Sequence, residues 1–370
     1  MIIIVQPWFA AVGHPAQSLL NTAKVIGKTN KVYYLISGIA DDKIISPIAN
    51  LLRNYGNVID FLVKTSSLKE GTLKAILYLR NFLKSSSNID YILFFDANLF
   101  LLSCMWWLIC FRRYPIEFGV IYLHGPELVK SRAFLYRFLV KSFISNSKVT
   151  FFLRTDELVE DWKLYIPNAQ IRRLPTMEIP ENDDFILDDI ESSTLLKFGI
   201  LGQVREGKGL QWIVPIFKQN ITLGTLTVAG EFANDQQRHA LSFLYDFNGF
   251  QNKFFSEQEL LNLAVSQDYL LMLYDDWDSR LEGAVMFLAA RVNRPVISYN
   301  EGWCGRMIAT YKNGVAISRS CNLIDIIDKL PKPDTTEYML LQQGVEAFKN
   351  AHSGKRVRQD FLEAIKVTDI

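Results

Sequence analysis

The stretch Phe198 to Gly209, FGILGQVREGKG, sets an apolar run before a loop bounded by Gly202 and Gly209 that carries Arg205 and Lys208; LQWIVPIF follows with helical spacing. A strand, a glycine-bounded basic loop and a helix start make a phosphate-binding arrangement. The first N–H groups of a helix lack internal partners, and the helix dipole favours an anion beside them. Gly202 to Lys208 fits the G-x-x-x-x-G-K spacing of a nucleotide-hydrolysing P-loop, but Gly209 stands where that loop needs a magnesium-binding hydroxyl. No apolar strand ends in a suitably placed second acid either. The other chemistry for such a loop is to hold a diphosphate as a leaving group, where cationic side chains stabilise the charge that develops as a bond to phosphorus-bound oxygen breaks.

A second constellation follows the apolar run DYLLMLY. Asp275, Asp276, Trp277, Asp278, Ser279, Arg280, Leu281 and Glu282 lead to Gly283, Ala284 and Val285, where a helix is expected to begin. Its first backbone N–H groups would face an anion, and Gly283 would allow close approach. Glu282 fits equally as an acid in the first turn of that helix. Asp276-Trp277-Asp278 is a D-x-D triplet, an oxygen set suited to magnesium or manganese. It comes late in the chain, and no metal is expected. Asp275, Asp276 and Asp278 also suit a solvated acidic turn. In the first half, IYLHGPE places His124 at a strand end, and Gly13-His14 follows the first apolar run.

These residues need a scaffold of parallel strands. MIIIVQ, KVYYLIS, NVIDFLV, DYILFFD, FGVIYLH and KVTFFL are short β-rich runs, most of them separated by helix-length stretches, and that alternation predicts a parallel α/β sheet. Arg172 to Ser193, RRLPTMEIPENDDFILDDIESS, interrupts it with two prolines and a cluster of acids. The alternation then restarts with KFGILG, GTLTVAG, DYLLMLY and RPVISYN. We expect two Rossmann-like, doubly wound domains facing a cleft, at 1–175 and 195–345, joined by a linker at 176–194. A helical segment at 346–370 is expected to pack back on the first domain. No internal sequence repeat is visible. Ligands of such domains bind at the carboxyl ends of the strands.

Composition restricts the function classes. The chain has 370 residues, about half of them apolar, and four cysteines without a C-x-x-C pair, so a folded protein of a reducing cytoplasm is expected. MIIIVQPWF reads as a first strand, not as a signal peptide. The net charge of +1 conceals an asymmetry: residues 1–175 hold 21 Lys and Arg against 12 Asp and Glu, a net +9, and the remainder holds 19 against 27, a net −8. A basic half of this kind suits an anionic acceptor or a peripheral membrane contact at the inner face; nucleic acid would need a denser basic stripe. Ala97 to Phe111, ANLFLLSCMWWLICF, is too short to span a bilayer and reads as a buried helix, with a lipid-interface surface as the alternative. Lys130 to Lys148 interleaves Lys130, Arg132, Arg137, Lys141 and Lys148 with Phe134, Leu135, Tyr136, Phe138, Leu139 and Phe143, a pattern found at membrane surfaces.

From Lys197 to Ile317 the chain resembles the family 4-type glycosyltransferases of GT-B fold. FGILGQVREGKGLQWI is similar to that family's glycine, basic residue and Lys-Gly block. FFSEQELLNLAVSQDYLLMLY resembles the helix and strand before the donor site, LEGAVMFLAARVNRPVIS its E-G motif, and NEGWCGRMIATYKNGVAI its trailing glycine-rich block. The resemblance implies transfer of a sugar from a nucleotide diphosphate-sugar, UDP-sugar first, to a hydroxyl of a glycan or lipid-linked acceptor, retaining and metal-independent, as in surface polysaccharide synthesis. It implies that Arg205 and Lys208 hold the diphosphate, with Gly202, Gly283, Ala284 and Val285 in the same donor site. Glu282 would bind the transferred sugar and Phe255 would present its backbone to the base. His124 would contact the sugar near the reacting carbon, and Gly13 and His14 would lie on the acceptor side. The pattern departs from the family at Ala290, where a second glutamate is usual, and at Gln203, where a basic residue is common. A non-catalytic sugar-nucleotide or glycan binder, and a sugar-nucleotide epimerase on the same scaffold, are the alternatives.

Overall fold

The computed structural model describes residues 1–9, 14–26, 31–38, 50–59, 67–85, 89–95, 97–108, 116–174, 176, 178–180, 195–220, 222–275 and 279–364. The chain divides into two compact units, Met1–Glu181 with Gly354–Ile370, and Asn182–Ser353.

The first unit runs β1 (Ile2–Phe9), α1 (His14–Ile26), β2 (Val32–Gly38), β3 (Asn57–Ile59), α2 (Leu68–Ser85), β4 (Tyr91–Phe95), α3 (Leu99–Leu108), β5 (Glu117–Tyr122), α4 (Glu127–Lys130), α5 (Phe134–Ile144), β6 (Val149–Leu153), α6 (Asp156–Tyr165) and β7 (Gln170–Arg173). The strands lie in the order β3-β2-β1-β4-β5-β6-β7, and every pairing is parallel, with Ile2 opposite both Val32 and Tyr91. Parallel strands are covered on both faces, so they read as continuous apolar runs; all five residues of β4, YILFF, are buried. The seventh strand is a correction to the sequence reading. Arg172 and Arg173 stand at the start of the proline-rich interruption but pair with Phe152 and Leu153 at the sheet edge. Only Ile171 of QIRR is buried, so β7 has no apolar run to announce it.

Helix α3 takes up the most apolar stretch and is a core helix. Its Trp106 is fully buried, edge-on to Phe118 and Phe143 at 5.1 and 5.6 Å. Among the described residues no helix is long and apolar enough to cross a membrane.

The second unit runs β8 (Lys197–Leu201), a 3-10 turn (Glu206–Lys208), α7 (Leu210–Gln219), β9 (Thr225–Ala229), α8 (Asp235–Ala240), β10 (Phe250–Gln251), α9 (Glu257–Val265), β11 (Tyr269–Met272), α10 (Ala284–Arg291), β12 (Val296–Tyr299), α11 (Gly302–Tyr311), β13 (Gly314–Ile317), α12 (Leu323–Ile327) and α13 (Thr336–Ala351). Its sheet is again parallel, in the order β10-β9-β8-β11-β12-β13. The order reverses between β8 and β11, the point at which the carboxyl edge of a doubly wound sheet opens for ligands. Helix α13 stays with this unit, its Phe348 packed against Phe287, Trp303 and Tyr311. The helix after it, α14 (Gly354–Ala364), belongs to the first unit, where Val357, Phe361 and Ala364 join the core formed by Leu19, Leu20 and Ala23.

Candidate functional site

The loop after β8 is shaped by two glycines in the left-handed region. Gly202 has φ +86° and Gly209 φ +69°, conformations that cost a side-chain-bearing residue strain. Between them Val204 pairs with Phe232 beyond β9, so the β8–β9 ladder resumes past the turn. The 3-10 turn then rises to Gly209, the N-cap of α7. It is fastened from two sides: the Asp275 N–H donates to the Gly207 carbonyl at 2.8 Å, and Gln237 of α8 donates to the Glu206 carboxylate at 3.0 Å.

Lys208 is 7 % exposed although it lies in a surface loop, and its ammonium donates to the Leu201 carbonyl at 2.7 Å. The turn and the left-handed Gly209 carry the side chain back beneath the strand end. Burial foremost, and then the charge of Arg205, push the Lys208 ammonium down to about 7. Arg205 is half-buried, its guanidinium 6.0 Å from the Tyr274 ring in the loop after β11, while Gln203 is exposed.

The second loop joins β11 to α10. Gly283 is the N-cap of α10 and makes no side-chain cap bond. A Cβ there would lie 2.3 Å from Met272 Cε and 3.1 Å from Cys304 Sγ. The Gly283 N–H, expected to face an anion, is directed at the Cys304 thiol. Burial, with the Glu282 carboxylate adding to it, pushes that thiol up to about 12; hydrogen bonds from Ser298 and the Gly283 N–H act in the opposite sense. Ala284 is exposed and Val285 half-buried in the first turn of α10. Ala290, at the family's second glutamate position, is 1 % exposed, so in this chain the position belongs to the core.

Phe255 lies after β10, at the opposite end of the same carboxyl edge. It is 7 % exposed, with the Lys253 ammonium 4.6 Å from its ring. The next residue, Ser256, forms a capping box with Glu259 that starts α9. Lys253 and Ser256 donate to the Glu259 carboxyl and hold it down at about 2. Arg291, whose side chain is 9 % exposed, bonds Glu257 at 2.5 Å and so ties the end of α10 to the start of α9. Glu257→Ala therefore leaves a nearly buried guanidinium without this partner, and thermal unfolding should show a loss of roughly 1–3 kcal/mol.

Gly202, Arg205 and Lys208 thus share the loop after β8, and Glu282 and Gly283 with Ala284 and Val285 of the first turn of α10 follow β11, on the two sides of the β8–β11 junction. In the first unit His124 is exposed after β5. Its carbonyl accepts from Trp162 Nε1 at 2.9 Å, and its ring stands edge-on to Tyr122. His14 is the first residue of α1. Gly13, Asp276, Trp277 and Asp278 lie outside the described residues, and among the described residues no group of three or more His, Cys, Asp or Glu is placed to hold a metal.

Two features escape a sequence reading. Gly230, the residue after β9, has φ +152°, and a Cβ on it would stand 2.2 Å from the Gly202 carbonyl oxygen, so the chain meets backbone to backbone just past the ends of β8 and β9. The signal was the glycine closing GTLTVAG, which matches Gly202 closing KFGILG. Asp275 is the other. Its carboxylate accepts from Trp212 Nε1 and the Tyr299 hydroxyl, both at 3.2 Å, and pairs with Arg319 at 3.6 Å, beside a cavity of about 360 Å³. Asp275 therefore braces α7, β12 and the segment after β13, partners that no local motif connects.

No protein-family model matches the chain, and no curated protein matches it in sequence. Solved structures do match in fold. A glycosyltransferase from Rickettsia africae superposes with TM-score 0.70 at 13 % identity, covering 99 % of this chain and 98 % of its own. Anabaena Alr3699/HepE, solved in complex with UDP-glucose, gives 0.69 at 12 % identity over 99 % of both chains. A sucrose-phosphate synthase from Thermosynechococcus elongatus gives 0.68 at 12 %, covering 99 % and 98 %. Two parallel Rossmann-like sheets, matched over nearly the whole chain, give this protein the GT-B fold that these structures share.

Proposed function

We propose that the protein is a retaining glycosyltransferase that moves a sugar from a nucleotide diphosphate donor, UDP-sugar first, to a hydroxyl of a glycan or lipid-linked acceptor, without a metal ion. The observation that carries this reading is the cationic loop of Arg205 and Lys208 at the β8–β11 junction, in a chain that shares over nearly its whole length the fold of a protein crystallised with UDP-glucose. A diphosphate seated there gains from both cations as negative charge builds on the leaving oxygen. The bond from the anomeric carbon to that oxygen breaks, the acceptor oxygen bonds to the same carbon on the same face, and the acceptor proton passes to the departing phosphate. In this reading Gly202, Ala284 and Val285 line the phosphates, Glu282 orients the sugar hydroxyls, and Phe255 presents its backbone to the base. Gly283 contributes its small size rather than a free N–H. His124 contacts the sugar near the reacting carbon, with Gly13 and His14 on the acceptor side.

The test is a thermal-shift and calorimetric titration with UDP-, GDP-, ADP-, CMP- and dTDP-sugars, followed by product analysis. Stabilisation that grows with the logarithm of ligand concentration, together with turnover onto an acceptor, is expected for at least one donor. Binding by none of them would overturn the reading, and binding without turnover would leave a sugar-nucleotide binder. For His124→Ala we expect stability within about 0.5 kcal/mol of wild type, because the ring is exposed and only the backbone carbonyl holds Trp162. Its kcat/KM should fall by roughly 10–100-fold if the ring meets the sugar.

A further inference from the structure

The first unit carries an exposed surface that the transfer reaction does not use. From residue 128 to residue 155 the sequence contains no acid, while Lys130, Arg132, Arg137, Lys141, Lys148 and Arg154 fall within it. Helix α5 lies in this stretch and is amphipathic in the inverted sense for an ordinary surface helix. Val140, Phe143 and Ile144 point into the core, and Tyr136 stacks on Phe100 at 4.9 Å, so the helix is firmly seated. Its outward face is apolar all the same: Phe134 is 74 % exposed, Leu135 63 % and Phe138 55 %. At about 100° per residue these three share one side of the helix, and Phe134 and Phe138 stack on each other at 6.4 Å.

Cations border this face. Arg137 and Lys141 flank Phe134 and Phe138 along the helix, and both are exposed. The ammonium groups of Lys130 and Lys141 lie 5.3 and 4.1 Å from the Tyr165 ring, which joins α4, α5 and the end of α6 into one surface. Leu164, beside Tyr165, is 83 % exposed, and Leu128 of α4 is 47 % exposed. Exposed acids are present on the flanking helices, Glu127 on α4 and Asp156 and Glu160 on α6, but every charged residue of α5 is a cation, and an apolar cluster bordered in this way marks an interaction site.

We propose that this surface of α4, α5 and the end of α6 docks on an anionic lipid bilayer. Charge complementarity selects that partner. Aromatic and leucine side chains gain by entering the acyl boundary, and a rim of lysine and arginine is drawn to negative headgroups while their stems lie along the apolar layer. A helix of 11 residues, about 16 Å long, would lie in the interface plane without crossing it. The sequence alternatives for lipid contact thus separate: the apolar run of α3 is core, and α5 presents its aromatics outward.

The experiment is co-sedimentation of the full chain with vesicles of phosphatidylcholine and phosphatidylglycerol, and with vesicles of phosphatidylcholine alone. Binding to the anionic vesicles that weakens with added salt is expected, with little binding to the neutral ones. Phe134→Ser with Phe138→Ser should lower the partition coefficient about tenfold or more. Arg137→Gln with Lys141→Gln should lower it about tenfold on anionic vesicles only. All four side chains are exposed, so circular dichroism and the thermal midpoint should match wild type. Should the phenylalanine pair unfold, Leu135→Ser and the charge variant decide the matter. Absence of wild-type binding to anionic vesicles, or variants that bind as wild type does, would overturn the proposal. So would a dimer in light scattering that the phenylalanine variant abolishes while vesicles remain unbound, which would assign the face to a second copy of the chain.

Discussion

Lys208→Met should lower kcat/KM by about 10²–10³-fold and remove a rise in stability that the wild-type protein shows above about pH 7. Both effects follow from one ammonium held beneath the end of β8, where it donates to the Leu201 carbonyl. Desolvation lowers its folded-state pKa to about 7 from 10.5. Between those two values the unfolded chain binds more protons than the folded one, so stability must increase with pH across that window. Below about pH 7 both states carry the proton and the burial cost is felt in full; above about 10.5 neither does and the cost is gone. Methionine keeps most of the volume and has nothing to titrate, so the slope should disappear. A diphosphate seated beside the lysine favours the charged form. Donor binding at pH 8 should therefore take up a proton, and donor affinity should fall as the pH rises beyond about 7. Calorimetry in buffers of different ionisation enthalpy reads the proton uptake directly. Equal pH slopes of stability in wild type and variant would show that Lys208 does not titrate in this range, and unchanged donor affinity in the variant would remove it from the phosphate site.

The second large effect is expected at Gly230→Ala. The new Cβ would stand 2.2 Å from the Gly202 carbonyl oxygen and 2.7 Å from its carbon. Both are backbone atoms of the neighbouring strand end, with no flexible side chain to swing aside. The φ of +152° adds strain of its own. Parting the two strand ends would also pull apart the Val204–Phe232 pairing and the turn that buries Lys208. We expect a loss of about 3 kcal/mol or more, seen as a fall in melting temperature of roughly 6–12 °C, with donor binding lost in parallel. Gly202→Ala is the control. Its nearest neighbour would be Lys208 Nζ at 3.6 Å, so it carries only the cost of a left-handed alanine, about 1–2 kcal/mol. Equal melting temperatures for the two variants would refute the close contact between the strand ends.

Much of the scaffold was legible because parallel strands are buried on both faces and must be apolar throughout. IIIV, VYYLI, YILFF and VTFFL announce β1, β2, β4 and β6, and KFGIL and YLLM announce β8 and β11, without any knowledge of their neighbours. Strands at the sheet edges escape that rule. QIRR pairs on one side only and keeps its arginines half-exposed, and β10 is two residues long. The end of α13 was hidden for a different reason. A continuous helical pattern runs from Glu337 onward, and only packing shows that Phe348 stays with Phe287 and Trp303 while Phe361 joins the core around Leu19.

Residue types and local spacing determined the glycine-bounded basic loop itself: glycines at 202 and 209 permit left-handed backbone, and Arg205 and Lys208 supply charge, all within one short loop. Whether that charge faces solvent or the strand end was not a local matter. It was decided by Gly230 pressing on Gly202 and by the Asp275 N–H bonding Gly207, from residues 28 and 68 positions away along the chain, and in the second loop Cys304, 21 positions on, turns a sulfur toward the Gly283 N–H. Hydrophobic periodicity is a property of neighbours in sequence, so a chain displays it before it folds. Desolvation of an ammonium and the direction of an N–H depend on atoms that only the folded sheet brings together, and they exist only once it has formed.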